Sequence, residues 1–192
     1  MPAVPAEMAN AFPALGEAAR EAQVVASHFK TATLLSGEKA TIEALDGQLA
    51  HSAVFHFAGH GTANAEDGAL LLARPGGGVS LFGAALVRPE RVRQCRLAVL
   101  SACASGNGEK EGPANADSLV RAFLNAGVPH VVASRWNIDS ASTAALMGNF
   151  YQALLAGATV SRSLQAATTE IQNHTETAHP FFWAGLNVFG RP

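Results

Sequence analysis

Cysteine is scarce in this chain: there are two in 192 residues, Cys95 and Cys103. That excludes a disulfide framework and a Cys-rich metal site, and no C-x-x-C pair can be drawn. The chain reads as one suited to a reducing compartment, the cytoplasm. Charge is scarce as well, at 15% of residues against 48% apolar, which excludes the composition of a disordered chain and leaves ample material for a core. A formal net charge of −2, a pI near 6.4 and the lack of any basic cluster give no pull towards nucleic acid or an anionic membrane. No apolar run approaches the ~18 residues of a membrane span. The start, Met1-Pro2-Ala3-Val4-Pro5-Ala6-Glu7, has no basic segment leading into an apolar one, so it is no signal peptide.

Several chemistries are excluded by missing motifs. Gly106-x-Gly108 is followed by Gly112 rather than by a glycine at 111, so the dinucleotide fingerprint fails. There is no G-x-S-x-G elbow and no phosphate-cradling G-x-x-x-x-G-K-[ST] loop. No internal repeat or low-complexity segment is found. No cofactor is implied, and metal binding is not expected.

What the chain does have is a rhythm of helices and short apolar strands. A proline-containing lead-in over 1–13 precedes one domain over 14–192, a length that fits the ~100–200 residues of a single domain. Leu15, Ala18, Ala22, Val25, Ala26 and Phe29 recur at spacings of three and four, predicting a helix over 14–29. A short strand is expected over 31–35, then a helix capped by Thr41 with Ile42, Leu45 and Leu49 on one face. Ala53-Val54-Phe55-His56-Phe57-Ala58-Gly59-His60-Gly61 reads as a buried strand ending at His60, followed by a β-hairpin turning at Arg74-Pro75-Gly76-Gly77-Gly78. A second buried strand over 96–102 ends at Ala102-Cys103, and a helix over 117–127, a strand over 130–134, two helices over 139–155 and 161–171, and a last strand over 184–189 complete the series. Such alternation predicts an α/β fold with a mostly parallel sheet, helices on its faces and a small β-hairpin insertion.

Two strand ends carry chemistry. Neighbouring parallel strands would set His60 and Cys103 side by side at their carboxyl ends, where open α/β sheets hold their sites. A thiol is a useful nucleophile only as thiolate, and an adjacent imidazole both takes its proton and returns one to a leaving amine. Small residues, Ala102-Cys103-Ala104-Ser105-Gly106, leave room for a substrate at the thiol. The glycines flanking His60 either form a turn or let the Gly61 N–H point, with that of Cys103, at a developing oxyanion. Cys95 reads as structural, and His56 as a core residue or a support for the site. His28, His51, His130, His174 and His179 read as ordinary.

With His56-Phe57-Ala58-Gly59-His60-Gly61, Leu100-Ser101-Ala102-Cys103 and Ser105-Gly106 in view, the chain resembles the CHAT domain. This is a caspase-like peptidase module related to separase, caspases and gingipains and often found with tetratricopeptide repeats. Residues 118–127, 131–139 and 179–184 extend the match. His60 and Cys103 stand 43 residues apart, near the ~50 expected of caspases. The resemblance implies a caspase-like three-layer sandwich and a cysteine endopeptidase acting on a protein or peptide. In it Cys103 is the nucleophile, His60 the base, the Gly61 and Cys103 backbones the oxyanion donors, and Ser101, Trp136 and Asp139 the substrate-binding residues. Relatives often carry consecutive acids where Asp139 is followed here by Ser140, so a plain helix N-cap is an equal reading of Asp139. The resemblance also implies control by a repeat domain or partner protein, and the same dyad is compatible with a catalytically silent binding module.

Overall fold

Short apolar segments buried along consecutive residues, Leu97 to Leu100 and Val131 to Ala133, form the centre of the molecule. The computed structural model of the chain describes residues 15–63, 68–104, 116–134 and 140–190, and at the ends of some elements, Cys103 among them, the backbone alone. The lead-in over 1–13 lies outside the described residues. Among those described, six strands, β1 (Val54–Ala63), β2 (Gly68–Ala73), β3 (Val79–Gly83), β4 (Leu97–Ala104), β5 (His130–Ser134) and β6 (Leu186–Gly190), form one sheet in the order β3-β2-β1-β4-β5-β6. The core of the sheet is parallel, β1 with β4 and β4 with β5, and antiparallel strands flank it on both sides.

Among the described residues five α-helices accompany the sheet: α1 (Gly16–Ser27), α2 (Ile42–Leu49), α3 (Ala116–Asn125), α4 (Ser140–Leu155) and α5 (Val160–Gln172). Strand alternation splits the core in two. Phe55, Ala98, Leu100, Val131 and Ala133 join Leu45 and Leu49 of α2 and Leu119, Val120 and Phe123 of α3. Leu97, Val99, Val132 and Leu186 join Val25 of α1, Leu146, Phe150 and Tyr151 of α4, and Leu164 and Ile171 of α5. Successive residues of one strand thus serve opposite clusters, so register decides which helices each strand holds.

Local chemistry explains the boundaries. The Thr41 hydroxyl accepts from the Ala44 N–H at 3.1 Å and the Thr159 hydroxyl from the Arg162 N–H at 3.3 Å, capping α2 and α5. Gly127 and Gly157 follow α3 and α4 with φ of +99° and +97°, a left-handed turn that glycine enters without a Cβ clash. The hairpin between β2 and β3 turns through Gly76, Gly77 and Gly78, all at positive φ, and is closed by the Arg74 N–H on the Gly78 carbonyl. The segment before β4 is held to α2 by Arg91, which donates to Asp46 Oδ2 at 2.7 Å and to the Leu86 carbonyl at 2.8 Å.

Two expectations are corrected. Residues 31–35 form no strand: the segment pairs with no strand among the described residues, and most of it, Leu34 included, is exposed. β1 does not stop at His60 but runs on to Ala63, because β2 pairs with its last residues, Gly61 with Leu70 and Ala63 with Gly68. Gly59 and Gly61 therefore form no turn. No helix among the described residues is long and apolar enough to cross a membrane.

Candidate active site

The register of β1 on β4 is the central observation. Eight consecutive residue pairs run from Val54 with Leu97 to Gly61 with Ala104, and His60 pairs with Cys103. Two residues 43 apart in sequence thus become direct neighbours across a parallel ladder, whose strands lie about 4.8 Å apart. They sit near the carboxyl ends of their strands. His60 is half-buried, and Gly61 is buried between Ala104 on one side and Leu70 on the other. Ser101, two residues before Cys103, pairs with Ala58 and is half-buried. The Ser134 hydroxyl donates to the Ala102 carbonyl at 2.7 Å and ties the end of β5 to the residue before Cys103. Trp136 and Asp139 lie outside the described residues.

Gly59 has a packing role. A Cβ there would stand 2.9 Å from Phe57 Cζ, so the absence of a side chain makes room for the phenylalanine ring two residues back on the same face. The glycine that reads as a strand stop is instead a seat for an aromatic ring inside the strand.

One polar cluster was only half legible from sequence. His56, on the face of β1 that serves α1 and α4, bonds Glu21 Oε1 through Nε2 at 3.0 Å and the Tyr151 hydroxyl through Nδ1 at 3.1 Å. Glu21 is 3% exposed and Tyr151 fully buried. A carboxylate only accepts, so Nε2–H donates to Glu21 and the tyrosine O–H donates to Nδ1, a tautomer assigned from the partners. Burial, reinforced by the Glu21 carboxylate, holds the Tyr151 phenol well above its ordinary value. The signal for Glu21 was its place in the apolar stripe of α1, three residues after Ala18 and four before Val25. Tyr151 is the only tyrosine of the chain and carried no comparable signal.

Cys95 is a contrasting thiol. It is buried, its Sγ lies 3.3 Å from the Leu97 carbonyl, and burial pushes it up to about 11 despite hydrogen bonds with the Leu97 and Phe55 backbone that pull it down. Such a thiol is inert at neutral pH. Among the described residues no group of three His, Cys, Asp or Glu is placed to hold a metal ion.

The CHAT domain profile matches residues 3–191, nearly the full length. The chain belongs to the CHAT domain family. CHAT domains are caspase-like and related to peptidases, and the parallel sheet core found here is compatible with that fold. The chain is also similar to tetratricopeptide repeat protein 28 of mouse, 36% identical over 98 residues, which is 50% of this chain and 4% of that protein. The human protein of the same name is 36% identical over 73 residues, 38% of this chain and 3% of the relative. This CHAT domain therefore corresponds to a small part of much longer curated relatives.

Proposed function

We propose that this CHAT domain is a cysteine endopeptidase of the caspase-like three-layer type, with Cys103 as nucleophile and His60 as base. The observation that carries the reading is the pairing of His60 with Cys103 in the β1–β4 ladder. His60 takes the proton of the thiol, and the sulfur attacks the peptide carbonyl carbon. The tetrahedral intermediate collapses as the imidazolium gives its proton to the leaving amine, and water then hydrolyses the thioester with His60 again as base. The proposed oxyanion donors are the main-chain amides of Gly61 and Cys103, and Ser101, Trp136 and Asp139 are the proposed substrate contacts. The reading requires that strand alternation, which sends Val99 and His56 to one face, continue to Cys103 and His60. The low charge and the scarcity of cysteine fit a cytoplasmic setting. The repeat-named relatives support control by a repeat domain or partner protein.

The test is covalent capture. Wild-type protein should be labelled at Cys103 by a thiol-reactive peptide and should cleave members of a peptide library. Cys103→Ala and His60→Ala should each abolish both while keeping the far-UV spectrum and melting transition. Cleavage that persists in either variant refutes the dyad, and a folded wild type that neither labels nor cleaves favours a binding module.

A further inference from the structure

A groove of about 1070 Å³ runs between α4 and α5, outside the layer of helices that packs on the His56 face of the sheet. Its lining is uneven in chemistry. Ala141, Ala145 and Ala166 are exposed and give it a shallow-walled floor, while Glu170 and Glu176 bring two carboxylates. The described residues that line it include no lysine or arginine, and His174, with Nε2 3.8 Å from Glu170 Oε1, is the one other titratable side chain. At neutral pH the lining is acidic.

The groove is also placed with respect to the strand ends. α4 begins six residues after Ser134, whose hydroxyl holds the Ala102 carbonyl, and the chain leaving α5 returns to Leu186, which pairs with Ser134. Ala141 and the turn Thr175–Thr177 therefore mark the end of the groove towards the rim that carries His60 and Cys103. From Ala141 to Gln152 the helix rises about 16 Å at ~1.5 Å per residue, room for about five residues of extended chain. Alanines leave space for the long aliphatic stems of lysine or arginine, and carboxylates meet their charged heads.

We propose that the α4–α5 groove is an exosite that takes a lysine- or arginine-rich stretch of the protein substrate. The inference rests on the peptidase reading for its purpose, and charge complementarity names the occupant. The first measurement needs no catalysis: fluorescence anisotropy of a labelled Lys-Ala-Lys-Ala-Lys-Ala-Lys peptide, and of its glutamate counterpart, against the full chain. The lysine peptide should bind, weaken as salt is raised, and bind about tenfold less tightly to Glu170→Gln/Glu176→Gln, with Ala145→Trp blocking it by bulk. Binding no tighter than that of the glutamate peptide, or indifferent to all three substitutions, overturns the exosite. The second measurement compares labelling of Cys103 by one thiol-reactive peptide carrying either a lysine-rich or a serine-rich tail. The lysine tail should speed labelling about tenfold in wild type and not in the double variant. Equal rates overturn the exosite, whereas no labelling by either probe counts against the peptidase reading and leaves the anisotropy result to decide the groove.

Discussion

Replacing His56 by alanine tests the buried contact between the sheet and its helices. The substitution strips Glu21, 3% exposed, of its partner at 3.0 Å and leaves the fully buried Tyr151 hydroxyl without its acceptor at 3.1 Å. Breaking a buried pair from one side costs about 3–5 kcal/mol, because a desolvated carboxylate is left behind. For a chain of this length each kcal/mol moves the midpoint by roughly 2–4 °C, so His56→Ala should melt at least ~6 °C lower. Tyr151→Phe removes only the phenolic oxygen and should cost about 1–3 kcal/mol, which keeps a well-folded reference in the series. Urea titration of wild type, Glu21→Ala, His56→Ala and the double variant gives the coupling directly, expected at about 2 kcal/mol. A His56→Ala variant within 1 kcal/mol of wild type, or a coupling near zero, would refute the assignment of this contact as a stabilising one.

Cys95 sets a pH dependence of known sign. Its thiol ionises near 9 when unfolded and near 11 in the fold, so its contribution is fully present below pH 9 and is lost as pH rises towards 11, by about 1.4 kcal/mol per unit. Cys95→Ala should flatten that part of the stability profile, and an unchanged slope in denaturant titrations at pH 9–10.5 would count against it. Gly59→Ala should cost about 1 kcal/mol through the contact with the Phe57 ring, and should cost much less in a Phe57→Leu background. Equal effects of Gly59→Ala in the presence and absence of that ring would show that the glycine matters for another reason.

The helices were legible because their apolar spacing is written locally, and so was the hairpin, whose three glycines announce left-handed backbone. The segment over 31–35 misled because a strand depends on a neighbour that sequence does not display. Gly59 misled for a related reason: glycine before and after a histidine reads as an interruption, while within the strand the ring of Phe57 occupies the space a Cβ would take. The positions of His60 and Cys103 were expected from two apolar runs ending alike, and the ladder pairs them residue for residue. The link from His56 to Tyr151 crosses 95 residues and two layers, and no local pattern encodes it.

The paired strands also divide the chain by its tolerance of altered length. One residue added or removed at the start of 54–61 or 97–104 would exchange the two cores for the rest of that strand, turning Phe55 or Leu100 over to the helices that hold Val99, and would move Cys103 off its partner. The same change within the turn at 74–78 falls beyond both cores and leaves every pair of that ladder where it was.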